Sequence, residues 1–119
     1  MKVKVHEASD LVLDWMVAKC EGLKVSKLGP GNKYGVWLVE GDSWYEKRSP
    51  YHPSTDWAQG GPIIEREGIS WHCGNKTSWH AYAYGSAKNI SGPTPLIAAM
   101  RCYVASKLGN EVEIPDELF

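Results

Sequence analysis

Phenylalanine is nearly missing from this chain: one Phe stands against six Trp and six Tyr. Cores draw mainly on Phe, Leu and Ile, whereas Trp and Tyr join a flat apolar face to a polar edge and suit surfaces that stay partly wet. The skew points to a binding surface. Cysteine is scarce too, and Cys20, Cys73 and Cys102 are odd in number and widely spaced, which fits neither a disulfide framework nor a CxxC-type zinc site. Reduced thiols are expected, with Cys20 and Cys102 serving as small buried hydrophobes on helical faces. A net charge of -1, from 13 basic and 14 acidic side chains, gives no long-range pull toward phosphate backbones or anionic lipid. DNA, RNA and membrane are therefore not expected partners. The longest apolar run, from Pro95 to Met100 and on past Arg101, falls far short of the roughly 20 residues a membrane span needs. The start, MKVKVHEASD, lacks the apolar stretch of a secretory signal. A cytosolic protein is expected.

A chain of 119 residues suits a single domain, residues 1–119. "MKVKV" alternates and predicts a short strand. Ser9 or Asp10 caps a helix through "LVLDWMVAKCEG", with Val12, Leu13, Met16, Val17 and Cys20 on its apolar side, Asp14 and Glu21 on the other, and Gly22 as the stop. From Leu23 to Lys47 the pattern is strand, turn, strand, turn, strand, with Gly29 to Asn32 as one turn cluster. Between Arg48 and Gly61 the prolines and paired glycines forbid long regular structure, leaving one helical turn through Gln59, capped by Ser54, Thr55 or Asp56. A Gly74-Asn75 turn joins two aromatic runs in a second hairpin, whose second arm sets Trp79, Ala81 and Ala83 on one face and His80, Tyr82 and Tyr84 on the other. Ser86 to Pro93 reads as a polar loop. Thr94 as N-cap, Pro95 at the first helical position and Gly109 past the end mark the clearest helix, Pro95 to Leu108. Its stripe of Ile97, Met100, Val104 and Leu108, flanked by Leu96 and Tyr103, should lie on a sheet. Val112 and Ile114 predict an edge strand before the tail frays. The fold class expected is α+β: a small antiparallel sheet of about five strands with two helices packed on one face.

Chemistry concentrates in "PSTDWAQGGPII", from Pro53 to Ile64. Asp56 and Gln59 supply an acceptor and a two-way amide, Trp57 a stacking face, and Gly60 and Gly61 let backbone N–H groups approach a ligand. Ser54 and Thr55 complete a plausible base or ribose site. A second reading stands beside it: an N-capped turn with Trp57 as its anchor. Few residues of this segment can bury much apolar area, which favours the site. In the aromatic arm, His80, Tyr82 and Tyr84, with Trp71 and Trp79 nearby, form the wall of a cleft in which a purine stacks, or else a half-buried sheet face. Arg101, set among apolar residues, either meets a ligand phosphate or forms a structural salt bridge to a carboxylate; Arg66, between Glu65 and Glu67, is a solvated charge with the same phosphate option. The free N–H groups of the "GPTP" helix start are a minor anion site.

His72, Cys73 and His80 suggest a metal, but adjacent strand residues point to opposite faces and no fourth ligand is usefully spaced. No metal, no cofactor and no catalytic residue is expected. A Cys-His nucleophile pair lacks a third residue to orient the base.

At "STDWAQGGPIIEREG" and "GPTPLIAAMRCYVASKLG" the chain closely resembles the NinX family of small proteins from lambdoid phages of enteric bacteria. The first helix, "LDWMVAKCEG", and the tail, "EVEIPDEL", share the resemblance. It implies a phage-encoded, non-structural accessory protein acting in the host cytoplasm, and it brings no catalytic residue with it. The expected function is binding and sequestering a small nucleotide-derived molecule, a host immune signal, in the cleft built partly by Ser54 to Gly61. The alternative is an inhibitor that binds a host protein through its aromatic patch. A nucleotide hydrolase using Asp56, Glu65 or His80 as base has least support. Open sheet edges suggest a homodimer.

Overall fold

The computed structural model describes residues 1–42, 44–85 and 89–116. In chain order the elements are β1 (Lys2–Lys4), α1 (Asp10–Cys20), β2 (Val25–Leu28), β3 (Tyr34–Asp42), β4 (Tyr45–Pro50), α2 (Trp57–Glu67), β5 (Ser70–Asn75), β6 (Ser78–Tyr82), β7 (Asn89–Gly92), α3 (Pro95–Leu108) and β8 (Glu111–Glu113), with short 3-10 turns at Val5–Glu7 and Pro30–Asn32. The class is α+β, as the sequence predicts. The architecture differs from one five-stranded sheet under two helices: among the described residues, eight strands form three small antiparallel sheets, β1-β8, β2-β3-β4 and β5-β6-β7, beside three α-helices.

The expected meander is β2-β3-β4. Gly29 belongs at its first turn because a Cβ there would enter the Trp37 indole, 2.1 Å from its nearest atom. The second hairpin, β5-β6, turns at Lys76 and Thr77 rather than at Gly74-Asn75, since Asn75 Oδ1 accepts the Thr77 N–H at 2.9 Å and closes an Asx turn two residues later. Part of the expected polar loop is instead β7, paired with β6 so that Ile90 opposes Ala81. Residues 86–88 of that loop, and the last three residues of the tail, lie outside the described residues. Val112 does form the expected edge strand, opposite Val3.

α2 is the largest departure. Eleven residues from Trp57 to Glu67 are helical where a single turn is expected, with Gly60, Gly61 and Pro62 inside. Asp56 caps it by accepting the Ala58 N–H at 2.9 Å, and Gly68, at φ 65°, ends it.

α3 holds the centre. Thr94 Oγ1 accepts the Ile97 N–H at 3.1 Å. The expected stripe understates its burial: Leu96, Ala98, Ala99, Met100, Cys102, Tyr103 and Val104 are all buried, because α1, α2 and the β5-β6-β7 sheet surround it. Gly92 lets β7 come close, since a Cβ there would meet the Ala98 backbone N at 2.7 Å.

Candidate ligand-binding site

The segment between β4 and α2 is held by hydrogen bonds that leave little of its polar chemistry idle. Asp14 of α1, which the helical pattern puts on the polar side, is instead buried, and its Oδ1 accepts the Ser54 N–H at 2.9 Å. Burial raises the Asp14 pKa, and Ser54 beside it pulls it partway back. The Ser54 hydroxyl is buried as well, and no acceptor meets it at hydrogen-bonding geometry. Gln59 reaches back across the loop: its Oε1 accepts the His52 N–H at 2.6 Å and its Nε2 donates to the Pro50 carbonyl at 3.0 Å. The His52 carbonyl accepts the Thr55 and Asp56 N–H groups at 3.1 and 3.0 Å. The result is a clip that ties β4, α1 and α2 together.

What the clip presents outward is Trp57. The residue is 48% exposed, and its ring lies 5.6 Å from that of Trp71, tilted by 49°. Beside it a shallow cleft of about 210 Å³ runs between Ser54–Thr55 and the start of α3 at Thr94–Ile97. "STDWAQGG" and "GPTP", far apart in sequence, thus meet at one lip. Anion binding at that helix start has little left to use: Pro95 has no N–H, the Ile97 N–H goes to Thr94 Oγ1 and the Ala98 N–H to the Thr94 carbonyl. Gly60 is pressed into the clip, whereas Gly61 is open.

The second aromatic group divides by strand parity. Trp71 opposes Ala81 and Cys73 opposes Trp79, so both tryptophans share the face of the fully buried Ala81. His72 opposes His80 and Ser70 opposes Tyr82, which places these on the other face. There His72 stacks on His80 at 5.3 Å and on Tyr82 at 5.5 Å, both at 20°. Packing α3 on the small Ala81 side does leave the His and Tyr face open, as the alternation predicts. It also separates Trp71 and Trp79 from His80 and Tyr82, so these four cannot wall one cleft with Tyr84, which lies beyond the strand and is 89% exposed.

Neither candidate guanidinium is idle. Arg101 forms no ion pair among the described residues: its Nε donates to the Ala8 carbonyl at 2.7 Å and its Nη1 to the Ser91 carbonyl at 3.0 Å. Burial lowers its pKa. Arg101→Met is expected to lower stability by about 1–2 kcal/mol in urea unfolding, since two carbonyls lose charge-assisted bonds, and Arg101→Lys to restore only part of it. Arg66 forks onto Glu21 at 3.0 and 2.7 Å, with Glu67 at 2.8 Å on its Nε and Lys107 on Glu67 at 3.2 Å. Arg66 first, then the Tyr103 hydroxyl, hold the Glu21 carboxyl below its ordinary pKa. This is a network more than a solvated cluster.

Among the described residues no group of three or more His, Cys, Asp or Glu is gathered closely enough to hold a metal ion. No helix among them is long and apolar enough to cross a membrane.

The fold and this lip define a small α+β protein with a shallow cleft beside an outward-facing Trp57, on a loop clipped by hydrogen bonds. A family model described as bacteriophage P22 NinX matches residues 4–107. The chain belongs to the NinX family and is a phage protein. No curated protein matches it.

Proposed function

We propose that this phage protein is an accessory factor of the host cytoplasm that binds and holds a small nucleotide-derived ligand, a host immune signal, without transforming it. The carrying observation is the half-exposed Trp57, tilted against Trp71 over the cleft at the α3 start, on a segment fixed by Asp14, Gln59 and Asp56. A lip that is already ordered loses little conformational freedom on binding. With Arg66 and Arg101 committed elsewhere, the ring rather than the phosphate is the recognised part. A hydrolase finds less support, because the Asp56 carboxylate is taken up in capping α2, and His80 lies on the sheet face opposite Trp71. A homodimer that closes the shallow cleft belongs to the same proposal.

Calorimetry with cyclic dinucleotides and ADP-ribose derivatives tests it. Saturable binding is expected for at least one, weakened about 10-fold or more by Trp57→Ala, as the loss of one base–aromatic stack implies. Chromatography should then return the ligand intact. No heat with any of them at micromolar protein overturns the reading, and recovery of a cleaved product overturns holding.

One observation favours a second reading. Trp44 and Tyr45, at the far end of the β3-β4 hairpin, are 86% and 64% exposed. Exposed aromatics suit a protein partner, the anchors of interface hot spots being enriched in Trp and Tyr. Trp44→Ala should abolish capture of a host protein and spare small-molecule binding, whereas Trp57→Ala should do the reverse.

A further inference from the structure

β4 is an edge of the β2-β3-β4 sheet, and among the described residues no strand pairs with its outer side. It is the most regular free edge of the three sheets. β1 and β8 have three residues each and β7 has four, while the register of β2 shifts between Ser26 and Leu28 and that of β5 between Cys73 and Asn75. β4 stays in register with β3 throughout, from Trp37 opposite Pro50 to Asp42 opposite Tyr45. Tyr45, Glu46, Lys47 and Pro50 are exposed.

Two bonds fix which backbone groups face outward. The Tyr51 N–H donates to the Val36 carbonyl at 2.9 Å, and on the other side of β3 the Val39 N–H donates to the Lys24 carbonyl at 2.9 Å. Antiparallel bonds alternate along a strand, so Tyr45, Lys47 and Ser49 bond to β3 while the N–H and C=O groups of Glu46 and Arg48 point away from it. The next outward groups are already taken: Gln59 Nε2 donates to the Pro50 carbonyl and its Oε1 accepts the His52 N–H. The open stretch therefore carries two donors and two acceptors.

A second copy, turned about a two-fold axis through Lys47, matches that stretch. Glu46 then exchanges both backbone bonds with Arg48 of the second copy, and Arg48 does the same with its Glu46. The side chains on that face agree in charge. Arg48, which reaches back over β3 to Ser26 and Leu28, also meets Glu46 of its own strand at 3.0 Å, so the charges of the two copies alternate both along and across the strands. On the other face Lys47 meets its own copy, with Glu40, opposite Lys47 on β3, standing on each side. Tyr45, 64% exposed, comes opposite Ser49 of the second copy. We propose that β4 pairs antiparallel with β4 of a second copy, centred on Lys47, and joins two three-stranded sheets into one. This names the surface of the homodimer put forward above and rests on that reading for its partner. Such a seam is smaller than a standard interface, so the dimer is expected to be reversible and concentration-dependent.

Sedimentation of the full chain from micromolar to millimolar concentration, with amide exchange followed by NMR over the same range, tests it. The Glu46 and Arg48 amides should gain protection as the dimer forms, whereas those of Lys47 and Ser49 are protected throughout. Glu46→Pro removes an outward N–H that β3 does not use, so the hairpin should stay folded by circular dichroism while the dimer Kd rises at least about 10-fold, half of the backbone bonds across the seam being lost. Lys47→Thr should act in the opposite direction and lower the Kd about 3-fold, because two like charges leave the axis. A chain that is monomeric throughout overturns the pairing and the homodimer together, with ligand binding still judged by calorimetry. A dimer indifferent to both variants overturns the pairing alone. Protection of Glu46 and Arg48 that appears only when a host protein is added also overturns it and assigns the edge to that protein.

Discussion

Gly60→Val is expected to lower stability by about 3 kcal/mol or more, while the neighbouring Gly61→Ala raises it by about 0.5–1 kcal/mol. Two adjacent glycines in one helix should thus respond with opposite sign. A Cβ on Gly60 would stand 2.5 Å from the Pro53 carbonyl oxygen and 2.6 Å from Leu96 Cδ1, so α2 would have to leave both the clip and α3. Leu96 could yield by a rotamer change, but the Pro53 carbonyl is backbone in a loop held by Asp14 and Gln59. Valine adds two further methyl groups to that collision. Gly61 has nothing within 4 Å of its Cβ position, and a helix gains when alanine replaces glycine. Urea unfolding of both variants measures the contrast. An unchanged midpoint for Gly60→Val would mean that the clip does not pack against α3 as described.

These glycines also explain why α2 is hard to read. Gly-Gly-Pro argues against a helix on local grounds, and only the close approach of Pro53 and Leu96 gives Gly60 a reason to be in one. Elements whose signals are local come through instead: Thr94-Pro95 and Gly109 bracket α3, alternation marks β3, and two turn clusters separate the meander. β7 carries a single inward apolar residue, Ile90, too little for a period. The division into three sheets depends on which strands pair, and no window of sequence carries that.

The candidate site is legible to a similar depth. The expected shortage of buried area in Pro53 to Ile64 fails, because Pro53, Ser54, Ile63 and Ile64 are all buried; Trp57 within it does face outward as expected, and the open His and Tyr face could be read from the small Ala side of β6. Joining Trp71 and Trp79 to His80 and Tyr82 failed on register parity, which only the pairing of β5 with β6 sets. The partners of Arg101 are backbone carbonyls 93 and 10 residues away, invisible to a search for opposite charge. Asp14 escaped because an acid between apolar helix positions normally faces water, and the N–H that draws it inward is 40 residues further on.

Asp14 is where that hidden architecture should matter most after Gly60. Asp14→Ala leaves the buried Ser54 N–H without an acceptor and opens a small void, an expected loss of about 2–3 kcal/mol at mildly acidic pH. Asp14→Asn separates the hydrogen bond from the charge, because its Oδ1 still accepts from Ser54 and its amide can donate to the Ser54 hydroxyl that lacks a partner. Burial raises the folded-state pKa of Asp14 above its unfolded value. Its contribution is therefore full below the unfolded pKa and is lost as pH rises through the raised one. Asparagine does not titrate, so the melting temperature of Asp14→Asn should gain on the native protein as pH goes from 4 to 8, with Asp14→Ala below Asp14→Asn throughout. A difference between native and Asp14→Asn that stays flat across that range would show that the carboxyl is not titrating in the buried position.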